Sequence, residues 1–158
     1  MENKFFKMLR KKNALDFVEP SSEIKDAYVK KSQSNLESSK LLLENNKIEE
    51  AVTLAYYGMY NICLALLFRT GIKSKNHAAT IDILEQIFGI NTEDIQFAKK
   101  ERINKQYYHD FEVSKADTLE LIKTAEKFVG EIYDFLEKLN SDSIGKYRSK
   151  FLELLNEN

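Results

Sequence analysis

Ile48-Glu49-Glu50-Ala51-Val52-Thr53-Leu54-Ala55-Tyr56-Tyr57-Gly58-Met59-Tyr60-Asn61-Ile62-Cys63-Leu64-Ala65-Leu66-Leu67-Phe68-Arg69-Thr70 decides the fold. At 3.6 residues per turn its apolar side chains leave on almost every face of a helix. A helix of that kind must be covered on several sides. The stretch therefore predicts the central helix of a bundle, or of a bundle that also dimerises. Thr53, Gly58 and Asn61 interrupt it, and its longest unbroken apolar run, Ile62 to Phe68, is far too short to span a bilayer. No membrane partner is expected. Gly71 is a natural left-handed residue to end the helix.

Working outward, Pro20-Ser21-Ser22-Glu23 opens an earlier helix with hydroxyl caps and a first-turn acid. It runs to about Leu43, and its Ser32, Ser34, Ser38 and Ser39 are small enough for close helix contact. Asn45-Asn46-Lys47 is a tight connection, so the two helices form an αα-hairpin. Downstream, residues 72–76 read as a loop, followed by a helix from about His77 to Phe88 closed by Gly89. Asn91-Thr92-Glu93-Asp94 caps a fourth helix. Ser114 with Asp117 has capping-box spacing and opens a long helix to about Leu139. Leu119, Ile122, Phe128, Ile132, Phe135 and Leu139 give it a buried stripe. A short helix ending in Phe151, Leu152, Leu154 and Leu155 closes the chain. Residues 3–13 form a basic amphipathic arm, with Phe5 and Leu9 on one face, expected to pack its aromatics on a neighbouring helix or subunit. No internal repeat, heptad seam or low-complexity tract is expected.

Composition agrees. One Pro and five Gly in 158 residues argue against an all-β fold. The expected fold is all-α: one domain over residues 1–158, an up-and-down bundle of about four to five main helices with short extra helices at both ends. Residues 21–139 would be its core, 1–20 a basic N-terminal arm and 140–158 a helical extension. The net charge of −1 excludes a generally basic surface, so RNA binding needs a local patch. Cys63 is the one cysteine. It excludes an internal disulfide and fits a reducing cytoplasm. Two histidines far apart and no cysteine cluster argue against a metal site. No Gly-rich phosphate loop or nucleophilic triad spacing occurs, so no cofactor is expected.

Chemistry concentrates in Arg102-Ile103-Asn104-Lys105-Gln106-Tyr107-Tyr108-His109. In a helix, positions seven apart differ by about 700°, nearly two turns, so Arg102 and His109 leave one face about 10 Å apart. Arg is a fixed positive fork, and His is a proton acceptor near neutrality. A phosphate between them could be held and cleaved without a metal. Lys105 and Gln106 share that face, Lys99 and Lys100 lie a turn earlier, and Tyr108 could stack on a base. Tyr107 is expected beside Ile103 in the core. His77 reads either as a polar contact in a nucleotide pocket or as a histidine bonding locally near a helix start. Arg102 could also pair with an acid on a neighbouring helix.

Several strings together resemble the HEPN superfamily: Ala55-Tyr56-Tyr57-Gly58-Met59-Tyr60, then Ala65-Leu66-Leu67 and Gly71. His77 after a Lys-containing loop, Arg102 with Tyr107, and Ala125-Glu126-Lys127-Phe128-Val129 in a long last helix complete the likeness. The resemblance implies a dimerising helical bundle. It further implies a metal-independent ribonuclease whose Arg-x6-His motif lines a homodimer cleft, in a toxin or defence role. A small nucleotidyltransferase antitoxin is the partner it implies. The alternative is a non-catalytic nucleotide-binding or nucleotidyltransferase-docking module. The position after Arg102, commonly Asn in the family, is Ile103 here.

Overall fold

The central helix, α3 (Ile48–Thr70), is enclosed as its composition demands: Tyr56, Met59, Ile62, Leu66 and Leu67 have no exposed surface. The computed structural model describes residues 2–107 and 113–156, and the side chains of all of these but residues 2, 3 and 105–107. Seven helices and a two-stranded ribbon are found among the described residues, and the fold is all-α. By length and composition α3 could cross a membrane, but 78% of its most apolar window is buried within the bundle. Packing accounts for that apolarity.

α2 (Ser22–Glu44) makes the most extensive contact with α3, antiparallel to it. Ser21 caps it by accepting from the Ile24 N–H. No heptad seam was expected in this chain, yet the buried residues of α2 form one: Val29, Ser32, Leu36, Ser39 and Leu43. Two of its five positions are serines, which hides the three-four spacing from a hydrophobicity reading. Ser32 Oγ donates to the Gly58 carbonyl and Ser39 Oγ to the Ala51 carbonyl, both at 2.6 Å. Such bonds satisfy the buried hydroxyls and contribute about 1 kcal/mol each. A Cβ on Gly58 would stand 2.7 Å from Leu36 Cδ2, so glycine sets how closely the helices approach. Ser38 is half-buried, and Ser34 faces solvent rather than α3. Asn46, at φ 60°, turns the chain between the two helices.

α6 (Lys115–Glu137) covers another side of α3 with Ile122, Ala125, Phe128, Val129 and Ile132. Ser114 caps it, accepting from the Asp117 N–H at 3.0 Å. Leu119, expected in this stripe, is 44% exposed. The helix turns it outward while Leu121 and Ala125 point in. The remaining side is closed by α4 (His77–Gln86) and α5 (Glu93–Tyr107). α4 stops before Phe88, and Gly89 at φ 66° redirects the chain.

Residues 72–76 are not all loop. β1 (Leu15–Phe17) and β2 (Ile72–Ser74) pair antiparallel, with Leu15 opposite Ser74 and Phe17 opposite Ile72. Three-residue strands are too short to show an alternation. The ribbon brings the N-terminal segment to the end of α3. α1 (Glu2–Lys11) packs on α7 (Ser141–Asn156) and on β1. Its buried anchors are Phe6 and Leu9; Phe5, expected inside, is only half-buried. α7 is a full 16 residues and buries Ile144, Phe151 and Leu155, whereas Leu152 is exposed. Its Arg148 lies over the Phe17 ring, and Nη1 donates to the carbonyls of Val18, Thr70 and Gly71 at 3.0–3.1 Å.

Candidate functional site

Tyr56 and Tyr60 stand one turn apart on α3, with Tyr57 about 100° round the helix. Their rings form a platform where α3 meets α4 and α5. A buried tyrosine hydroxyl needs a partner, and each finds one. Tyr56 Oη lies 2.7 Å from His77 Nδ1, Tyr57 Oη accepts from Arg102 Nη1 at 3.2 Å, and Tyr60 Oη lies 3.5 Å from Thr80 Oγ1.

His77 is placed by the start of α4. Asn76 caps that helix through the Ala79 N–H, and Thr80 Oγ1 donates to Ser74 Oγ at 2.9 Å, tying the first turn to β2. The imidazole then stacks on Tyr60 with centroids 3.9 Å apart and planes 7° from parallel. It also meets the edge of Tyr57 at 6.2 Å.

From α5, the Arg102 guanidinium lies over the same rings, 5.0 Å from the Tyr56 centroid and 5.5 Å from that of Tyr57. Its Nε is buried without a hydrogen-bond partner, and Arg102 makes no ion pair among the described residues. The expected alternative, an acid paired with Arg102, is not found among them. Beside this cluster a pocket of about 340 Å³ opens between α4 and α5, lined by Ala78, Ile81, Asp82, Gln96, Lys99, Lys100 and Ile103.

The electrostatics follow from burial and from the two cations. Burial lowers the pKa of His77, and the charges of Arg102 and then Lys99 lower it further. Burial raises that of Tyr56, partly offset by Arg102, and raises that of Tyr60. Burial also raises that of Cys63, which donates to the Met59 carbonyl and is inert. His77 is therefore neutral at pH 7. Its imidazole ¹⁵N shifts should titrate with a midpoint below the ordinary 6.5; a midpoint at or above 6.5 would contradict this environment. The folded chain binds this proton less tightly than the unfolded chain does. The His77 contribution to stability is thus lost as pH falls through about 6.5, and the loss stops growing below the folded midpoint.

The structure brings together Arg102, His77 and Lys99, which lie far apart in sequence or a turn apart on α5. His77 bonds across to α3 rather than locally. The side chains of Lys105, Gln106 and Tyr107, and residues Tyr108 and His109 altogether, lie outside the described residues. Sequence reading did not single out the tyrosine platform, Asp82 or Gln96 as site residues. The signal for the platform was present: three tyrosine hydroxyls within five residues of a mostly apolar helix, each needing a partner.

The model of the HEPN domain family matches residues 26–139. The chain belongs to the HEPN family. That HEPN match runs from the first turns of α2 past the end of α6, and leaves α1, β1 and α7 outside it. Among curated HEPN relatives, a UPF0332 protein of Pyrococcus horikoshii is 32% identical over 82 residues, 52% of this chain and 54% of the relative. The chain thus aligns with about half the length of that relative. A protein named "Putative toxin" from Methanocaldococcus jannaschii is 28% identical over 120 residues, 72% of this chain and 89% of the relative.

Proposed function

We propose that this HEPN protein is a metal-independent endoribonuclease of the cytoplasm with a toxin or defence role, acting as a homodimer. The observation that carries the reading is Arg102: a permanent cation fixed on two tyrosine rings, with no carboxylate partner among the described residues and one orphaned N–H. Cations drawn out of water are normally paired. Half-buried Arg102, held flat with no counterion among the described residues, is suited to an anion brought by a ligand, and a phosphodiester takes a guanidinium's two-pronged donation. Lys99 and Lys100 at the neighbouring pocket supply the local charge that a net −1 chain lacks overall. The relative named as a toxin is in keeping with the biological role.

In this reading Arg102 holds the scissile phosphate and stabilises its developing charge. His109 takes the proton of the ribose 2′-OH as the 2′ oxygen attacks phosphorus. The bond to the 5′ oxygen breaks, and that oxygen receives a proton from the His109 of the second copy. The products are a 2′,3′-cyclic phosphate and a 5′-hydroxyl. Lys99, Lys105, Gln106 and Tyr108 would contact the flanking RNA, and a small nucleotidyltransferase would act as the antitoxin. A second reading, a non-catalytic module that binds a nucleotide or docks on such a nucleotidyltransferase, is favoured by Ile103: an apolar side chain lines the pocket at the position where the family resemblance implies a polar one.

The deciding experiment is cleavage of labelled single-stranded RNA and tRNA in excess EDTA, with analysis of the product ends. Cyclic phosphate ends, lost in both Arg102→Ala and His109→Ala, are expected. A folded dimer that cleaves nothing between pH 6 and 8 would leave the binding module.

A further inference from the structure

We propose that His77 is the second phosphate-contacting group of the Arg102 site, donating from Nε2–H to the phosphodiester that the Arg102 guanidinium holds. The inference rests on the RNA-directed reading of that site and adds to it a residue outside the Arg-x6-His motif. Three observations lead to it. First, His77 and Arg102 share the same support: both lie against Tyr56 and Tyr57, from opposite neighbouring helices. Second, the tautomer follows from the hydrogen bonds. Tyr56 has one hydroxyl proton and, among the described residues, one acceptor for it, His77 Nδ1 at 2.7 Å. The neutral ring then carries its proton on Nε2, which has no hydrogen-bond partner among those residues. Stacking on Tyr60 fixes the direction in which that N–H points.

Third, the surroundings are cationic. The groups that face His77 are Tyr56, Tyr57 and Tyr60 from α3 and Lys99 and Arg102 from α5, while Asp82 of its own helix lines the adjoining pocket. A neutral donor beside two positive side chains is an arrangement for an anion. Burial and those charges keep the ring unprotonated, so His77 serves as a fixed dipole rather than as a proton shuttle. Its role therefore differs in kind from the one proposed for His109.

The test uses a 2′-O-methyl oligoribonucleotide, which can bind but cannot be cleaved through its 2′ oxygen. Adding it to the ¹⁵N-labelled full-length wild-type chain should shift the His77 Nε2 resonance and leave Nδ1 in its Tyr56-bonded range. By fluorescence anisotropy, His77→Phe should keep the stack on Tyr60 and bind the oligomer about tenfold more weakly. His77→Gln, which places an N–H near Nε2, should recover most of the loss. Saturating oligomer that leaves Nε2 unmoved, or His77→Phe binding as tightly as wild type, would overturn the proposal while the ribonuclease reading could still stand. A shifted Nε2 in a chain that cleaves no RNA would uphold the proposal and refute the ribonuclease. Absence of any binding by the wild-type chain would refute the His77 contact, with the EDTA assay deciding the ribonuclease separately.

Discussion

Arg102→Lys is expected to fold like the parent chain and to cleave RNA about 10²-fold more slowly, with Arg102→Met slower by about 10²–10³. The reasoning starts from shape. A guanidinium lies flat over Tyr56 and Tyr57 and donates to Tyr57 Oη, and with five N–H groups it has further donors to offer a phosphate. An ammonium is a compact, strongly hydrated charge that cannot meet all three demands together. Stability should move little. Two cation–π contacts and one hydrogen bond favour the native Arg by about 0.5–1.5 kcal/mol each. Desolvating the charge and orphaning Nε oppose this by about 1–3 kcal/mol. The terms nearly cancel, so Arg102→Met should melt within a few degrees of wild type. Initial cleavage rates and thermal melts on the same preparations separate the two effects. A lysine variant as fast as wild type would remove Arg102 from the chemistry.

Gly71→Ala is the largest expected loss of stability, about 2–5 kcal/mol of a total that is about 5–15 kcal/mol for such domains. Gly71 sits at φ 74°, which costs a residue with a Cβ about 1–2 kcal/mol. The added methyl would also overlap the Arg148 guanidinium and the Val18 carbonyl. Arg148 must withdraw, leaving the Thr70 and Val18 carbonyls without that donor at about 1–3 kcal/mol, while the Gly71 carbonyl keeps the Val18 N–H. Gly89 provides the control. Its φ is 66°, but a Cβ there meets nothing within 4 Å, so Gly89→Ala should show the backbone cost alone, about 1–2 kcal/mol. Urea midpoints of both variants, alone and combined with Arg148→Ala, measure the coupling. Equal losses at the two glycines would show that Arg148 is not the cause.

What the sequence made legible was each helix seen from its own axis. The apolar circumference of residues 48–70, the left-handed stop at Gly71 and the Ser114 cap are local signals, and the structure carries each. Less legible were features that depend on a partner distant in the chain. The α2 seam runs through two serines whose meaning is a carbonyl on α3. Leu119 reads as core by periodicity and lies outside because the adjacent ridge of α6 faces α3. The face of α5 could be read, but Tyr57, the group that holds Arg102, is 45 residues away. Periodicity says which side chains share a face and not which helix that face will meet. Tyr56, Tyr57 and Tyr60 were named only as part of a family-like string, although their hydroxyls on an apolar helix called for partners.

The contact between Arg148 and the end of α3 bears on where the chain can be cut. The last carbonyls of a helix lack internal partners, and its C-terminal end carries partial negative charge. Here a cation from α7 satisfies Thr70 and Gly71, and the same side chain ties in Val18. An excised fragment ending at residue 139 would keep the whole span that the HEPN model matches and lose the ion that finishes the central helix. The cooperative melting unit is thus expected to reach past the matched span to Arg148 on α7, a boundary set by a guanidinium.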